Sequence, residues 1–115
     1  MPYCQIVSNR SIEGDEAKTI AGEASSLVAT MLGKPESYVM VRVESDSTLI
    51  FGGSDAPACF VSLASLGLPE SETKKFSQTV CEFVQRQLDV PWDRIYIEFS
   101  SPERHMWGYD GSTFG

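Results

Sequence analysis

Residues 32–45 read LGKPESYVMVRVES and residues 88–101 read LDVPWDRIYIEFSS, two 14-residue stretches that align without a gap at an offset of 56. Each has the same grammar. An apolar residue closes a helical pattern, a Lys-Pro or Val-Pro pair breaks it, and a run rich in β-branched and aromatic residues follows. Pro91 stands 56 residues after Pro35, and the strand expected to start at Ala58 stands 56 after Pro2. The chain is therefore an internal duplication, residues 2–50 and 58–106.

Working outward from these junctions fills in each half. Apolar residues recur at Ala17, Ile20, Ala21, Ala24, Leu27, Val28, Met31 and Leu32, the spacing of an amphipathic helix. Gly33 suits its left-handed C-terminal position. In the second half Phe76, Val80, Phe83, Val84 and Leu88 mark the buried stripe of a helix from about Glu70 to Leu88. Strands are predicted from Tyr3 onward and over Tyr38–Val43, Ala58–Leu63 and Arg94–Phe99, with a chain reversal at Phe51-Gly52-Gly53-Ser54. Two β-α-β units with right-handed crossovers give an α+β fold in one domain: a four-stranded mixed sheet with both helices on one face. The runs VMVRV and IYIEF carry apolar side chains toward the other face too, so further copies of the chain are expected to cover it.

Composition narrows the function classes. With 115 residues and a net charge of −7, the chain lacks the clustered Lys and Arg that nucleic acid or an anionic membrane requires. No apolar run approaches the roughly 20 residues of a membrane helix, and no secretory leader is visible, which predicts a cytoplasmic protein. Cys4, Cys59 and Cys81 have no C-x-x-C or metal-ligand spacing and read as buried free thiols. Asn9-Arg10-Ser11 matches a glycosylation sequon that such a location leaves idle. His105, the one histidine, has no evident partner and reads as a surface residue. Gly33-Lys34 is not a phosphate loop, because the preceding glycines and the following Ser or Thr are missing.

Pro2 cannot donate a ladder hydrogen bond, yet it opens a strand. Its position behind Met1 is chemically distinctive: removal of the methionine leaves a secondary amine, whereas retention leaves an inert amide.

The Met-Pro start, GKPESYVMV, FGGS, SLASLG, DRIYIEF and the ending WGYDGSTFG follow one another in the order, and at nearly the spacings, of the macrophage migration inhibitory factor family of the tautomerase superfamily. The whole chain resembles that family. The resemblance implies a homotrimer whose sheets face an inner channel, with active sites between subunits and no cofactor or metal. It implies that Pro2 is a catalytic base and that Lys34 binds a substrate carboxylate. Ser65 and Leu66 would offer a backbone N–H. Tyr38, Tyr96 and Phe114 would wall the pocket, with Trp107 and Tyr109 at its mouth. Tyr96 and Glu98 would come from the neighbouring subunit. The implied reaction is keto–enol tautomerisation of a small aromatic α-keto acid of the phenylpyruvate type.

Departures from the better-known members bear on preference. Glu98 stands where they often carry Asn, and Trp107 and Tyr109 replace a small residue followed by Trp. A single cysteine, Cys59, stands where some members have C-x-x-C, so no dithiol chemistry is expected. The resemblance also implies a second kind of role, a cytokine-like ligand for a receptor, exported without a signal peptide. Related dehalogenases and decarboxylases also use an N-terminal proline, but the extra arginines they bring are not matched here.

Overall fold

Alternate residues of Pro2–Ser8 (β1) are buried, so one side of this strand is committed to a core while the other stays partly open. A computed structural model describes all residues, 1–115. After β1 come a helix at Gly14–Leu32 (α1), strands at Met40–Glu44 (β2) and Cys59–Ser65 (β3), a helix at Thr73–Leu88 (α2) and a strand at Ile95–Ser100 (β4). Two-residue strands at Gly108–Tyr109 (β5) and Ser112–Thr113 (β6) form a terminal hairpin. The sheet order is β2-β1-β3-β4, parallel within each half and antiparallel between β1 and β3 at the centre. This is the predicted mixed sheet of two joined β-α-β units.

Both helices lie on one face. Ile20, Ala24 and Val28, four residues apart on α1, join Phe76, Val80, Phe83, Val84 and Leu88 of α2 over Cys4, Ile6, Val61 and Leu63 of the central strands. Burial pushes the Cys4 and Cys59 thiols up to about 12, which makes them packing groups and not nucleophiles. Ser8, the buried polar residue at the end of β1, donates from Oγ to the Ala58 carbonyl at 2.8 Å and accepts from the Arg10 N–H at 3.1 Å.

Three expectations are refined. The junctions obey the 56-residue offset, with short 3₁₀ turns at Glu36–Tyr38 and Trp92–Arg94 before the strands, but Tyr3 pairs with Met40 whereas Phe60, not Cys59, pairs with Tyr96. Cys59, one residue after Ala58, is thus the counterpart of Pro2, and the second half is one residue shorter than the first between the start of its strand and its junction. The helix expected from Glu70 begins as a 3₁₀ turn at Glu70–Glu72 and becomes α at Thr73. Finally, period-2 alternation sends Val41, Val43, Ile97 and Phe99 toward the helices. The open face therefore carries a polar row, Arg42–Gln5–Ser62–Glu98, across its middle, with Met40, Tyr3, Phe60 and Tyr96 on either side of it. It carries the apolar and aromatic side chains expected there, Met40 and Tyr96 among them, together with a polar row.

Candidate active site

Pro2 is paired with Ser65 at one end of the central strand pair, and less than 2% of it is exposed. Its missing N–H costs the sheet nothing there, since it is the first residue of the strand. Beside it opens a cavity of about 370 Å³ lined by Pro2, Tyr3, Tyr38, Trp107, Tyr109 and Phe114 among others. Three separate segments converge to build it: the start of β1, the 3₁₀ turn leading into β2, and the C-terminal hairpin.

The hairpin is held by local geometry. Asp110 (φ 51°) and Gly111 (φ 77°) make its turn, the Phe114 N–H donates to the Trp107 carbonyl at 3.2 Å, and Arg104 Nε donates to the Phe114 carbonyl at 2.9 Å. These bonds bring Tyr109 between two other rings. Its centroid lies 5.5 Å from Tyr38, edge-on, and 5.7 Å from Phe114, stacked, so the three rings form one continuous wall.

Burial, and after it the charge of Lys34, shape the electrostatics at the terminal amine beside this cavity. Gly33 (φ 64°) ends α1, its N–H reaching the Thr30 carbonyl at 3.3 Å while the Lys34 N–H reaches the Ala29 carbonyl at 3.0 Å. That pair of bonds is a Schellman ending, and it fixes where Lys34 leaves the helix. The terminal amine, on Met1, is held below its ordinary value, first by burial and then by the Lys34 charge. An amine in this position favours its neutral, basic form. While Met1 is attached, the Pro2 nitrogen is an amide and carries no such basicity.

Of the residues singled out in the sequence, Pro2, Tyr38, Trp107, Tyr109 and Phe114 share the cavity. Lys34 acts on it through its charge, Ser65 is the strand partner of Pro2, and Leu66 follows directly and is buried. Tyr96 and Glu98 lie elsewhere in the chain. Tyr96 pairs with Phe60, which pairs with Val7, five positions from Pro2 or about 17 Å along the strand. It lines a second, apolar cavity of about 440 Å³ with Leu49, Ile50, Phe51 and Phe60. Glu98 pairs with Ser62 near the middle of the open face.

Tyr3 and Met40 also line the first cavity and were not anticipated. Strand alternation held the signal, because Tyr3 is the first open-face residue after Pro2 and Met40 is its register partner. Three of the four tyrosines in the chain line this one cavity. Asn9 is committed to structure: its Nδ2 donates to the Asp55 and Ala56 carbonyls, both at 3.1 Å, and its Oδ1 accepts from the Ala58 N–H at 2.9 Å. No three His, Cys, Asp or Glu side chains converge as a metal ion would need. The arrangement suits a flat aromatic group lying against the ring wall.

Comparison with known proteins bears on the family and the fold. The family profile described as macrophage migration inhibitory factor matches residues 1–115. A homologue from Trichuris trichiura is 42% identical over 91 residues, covering 78% of this chain and 80% of its own, and one from Brugia malayi is 34% identical over 116 residues, covering the whole of both. The crystal structure of a macrophage migration inhibitory factor homologue from Prochlorococcus marinus superposes with a TM-score of 0.92 at 38% identity, covering 98% of this chain and 99% of that one.

Proposed function

Because the chain belongs to the macrophage migration inhibitory factor family, we propose that it is a cofactor-independent keto–enol tautomerase of phenylpyruvate-type α-keto acids. The observation that carries this reading is the position of Pro2, buried at the floor of an aromatic cavity beside a terminal amine whose basicity Lys34 tunes. Once Met1 is removed, the Pro2 nitrogen is the base. It takes the enol hydroxyl proton and returns it to the carbon next to the carbonyl, or the reverse, so that no atom or electron is gained or lost. An amine that is neutral near pH 7 does this best.

Lys34 and the Leu66 N–H, supported by Ser65, hold the carboxylate and the charge that develops on oxygen; such groups act most strongly where water is excluded. Tyr38, Trp107, Tyr109 and Phe114 contain the ring. Tyr96 and Glu98 join from a neighbouring copy in a homotrimer, which accounts for their distance from Pro2 within one chain. Glu98 there would accept a hydrogen bond from a ring hydroxyl, favouring hydroxyphenylpyruvate over phenylpyruvate.

The test couples intact mass with an enol-loss assay on both substrates. A chain lacking Met1 is expected to turn over, and Pro2→Gly is expected to lower kcat/KM by at least about a hundredfold, the span general-base catalysis contributes. A processed chain without turnover would sink the enzymatic reading. Undiminished activity in Pro2→Gly would sink the mechanism alone.

A further inference from the structure

Arg94 is a half-buried cation that makes no ion pair. Of the five N–H groups of a guanidinium, four go to carbonyls of a single loop: Nε to Pro57 at 3.2 Å, Nη1 to Phe51, and Nη2 to Ser54 at 3.1 Å and Ala56 at 2.8 Å. Its guanidinium carbon also lies 4.9 Å from the centroid of the Phe51 ring. That ring in turn packs 4.5 Å from the ring of Tyr96. Asn9 also bonds the loop, at Asp55, Ala56 and Ala58. The loop is thus ordered by two dedicated side chains, and ordering a surface loop costs conformational entropy. Its own core gains little in return, since Tyr96 is 61% exposed and Phe51 stands outside the buried cluster.

We propose that Arg94 is a positioning residue: by locking Phe51 against Tyr96 it fixes the Tyr96 phenol in the orientation that completes the Pro2 cavity of a second copy. The proposal rests on the tautomerase reading and on its between-copy site. The chain of contacts is short and directional. Arg94 holds the backbone and ring of Phe51, Phe51 supports one face of Tyr96, and the other side of Tyr96 is left open to a partner. Lys34 and Pro2 are untouched by it, so loss of Arg94 acts on binding and not on proton transfer.

The experiment uses the full chain labelled with 3-fluorotyrosine, whose four fluorine signals are assigned with Tyr96→Phe and the corresponding variants at Tyr3, Tyr38 and Tyr109. In Arg94→Gln, at unchanged oligomeric state, the Tyr96 signal is expected to move and broaden most, with smaller shifts at the three tyrosines of the Pro2 cavity it completes and no change in Tm. KM for phenylpyruvate is expected to rise about three- to tenfold with kcat within about twofold, the pattern of lost binding. Phe51→Leu, which keeps the loop carbonyls that Arg94 bonds, is expected to do the same and serves if Arg94→Gln does not fold. An unmoved Tyr96 signal in both variants overturns the proposal, and so do four signals shifting together with a lowered Tm. The fluorine signal needs no turnover, so it reports on Arg94 even if the tautomerase reading fails.

Discussion

Gly33-Lys34-Pro35 by itself describes a helix end, where a lysine is at home because the helix dipole favours cations. What distinguishes Lys34 is that its charge reaches the terminal amine and, after burial, is the second cause of that amine's lowered pKa. The sign follows directly. A positive neighbour disfavours the ammonium form, so removing it raises the pKa, while burial, the larger cause, keeps the value below that of a free amine. Lys34→Met is therefore expected to raise the amine pKa in an NMR titration of the Met1-bearing chain. In the processed chain it should move the acid limb of the kcat/KM profile to higher pH, because the base is then protonated over a wider range. An unmoved titration would remove Lys34 from the electrostatics of the site. Pro2 stood out in the sequence because loss of Met1 would make its nitrogen an amine, whereas Lys34 entered only through the family resemblance. Tyr3 and Met40 did not, since a tyrosine and a methionine within strands read as packing until the register places both beside Pro2.

At the scale of elements, the duplication made two helices and four strands legible, and it hid the details in which the halves differ. One such detail is how the helices end. Gly33 ends α1 at φ 64°, while its counterpart Asp89 ends α2 at φ 55°, a left-handed conformation that costs a residue with a β-carbon. A β-carbon added at Gly33 would meet nothing within 4 Å, so the cost of Gly33→Ala is backbone strain alone. It is expected to lower stability by about 1–2 kcal/mol. Asp89→Gly should shift it the other way, by up to about 1 kcal/mol, since aspartate tolerates this region better than most residues. Urea denaturation of the two variants checks both signs, and equal effects would mean that the ends are not conformationally equivalent. The one-residue register difference between Pro2 and Cys59 escaped the sequence for a related reason: gapless alignment of the junctions says nothing about where slack is absorbed between strand and helix.

For the whole molecule, the distance between Pro2 and Tyr96 is the decisive quantity. The sequence set both in a common site only through family resemblance, and one folded chain keeps them at opposite ends of the central strands. The two cavities are separate: one has Pro2 and an aromatic wall, and the other has an exposed tyrosine packed against Phe51. If copies assemble in a closed ring, each Pro2 cavity is completed by the Tyr96 of its neighbour, and the contact is heterologous. That geometry permits complementation between two defective chains. Pro2→Gly exchanges the proline nitrogen for the less basic, unconstrained primary amine of glycine, and Tyr96→Ala lacks the neighbour's ring. Refolded together in equal amounts, a trimer contains an intact site wherever a Tyr96→Ala chain, with its Pro2, sits beside a Pro2→Gly chain, with its Tyr96. Random mixing yields about one intact site in four. Activity at substrate concentrations well below KM is therefore expected to recover to about a quarter of that of the unaltered protein, although each parent alone is poor. A mixture no more active than the average of its parents would mean that base and ring are never shared between copies, and that the second cavity has another purpose.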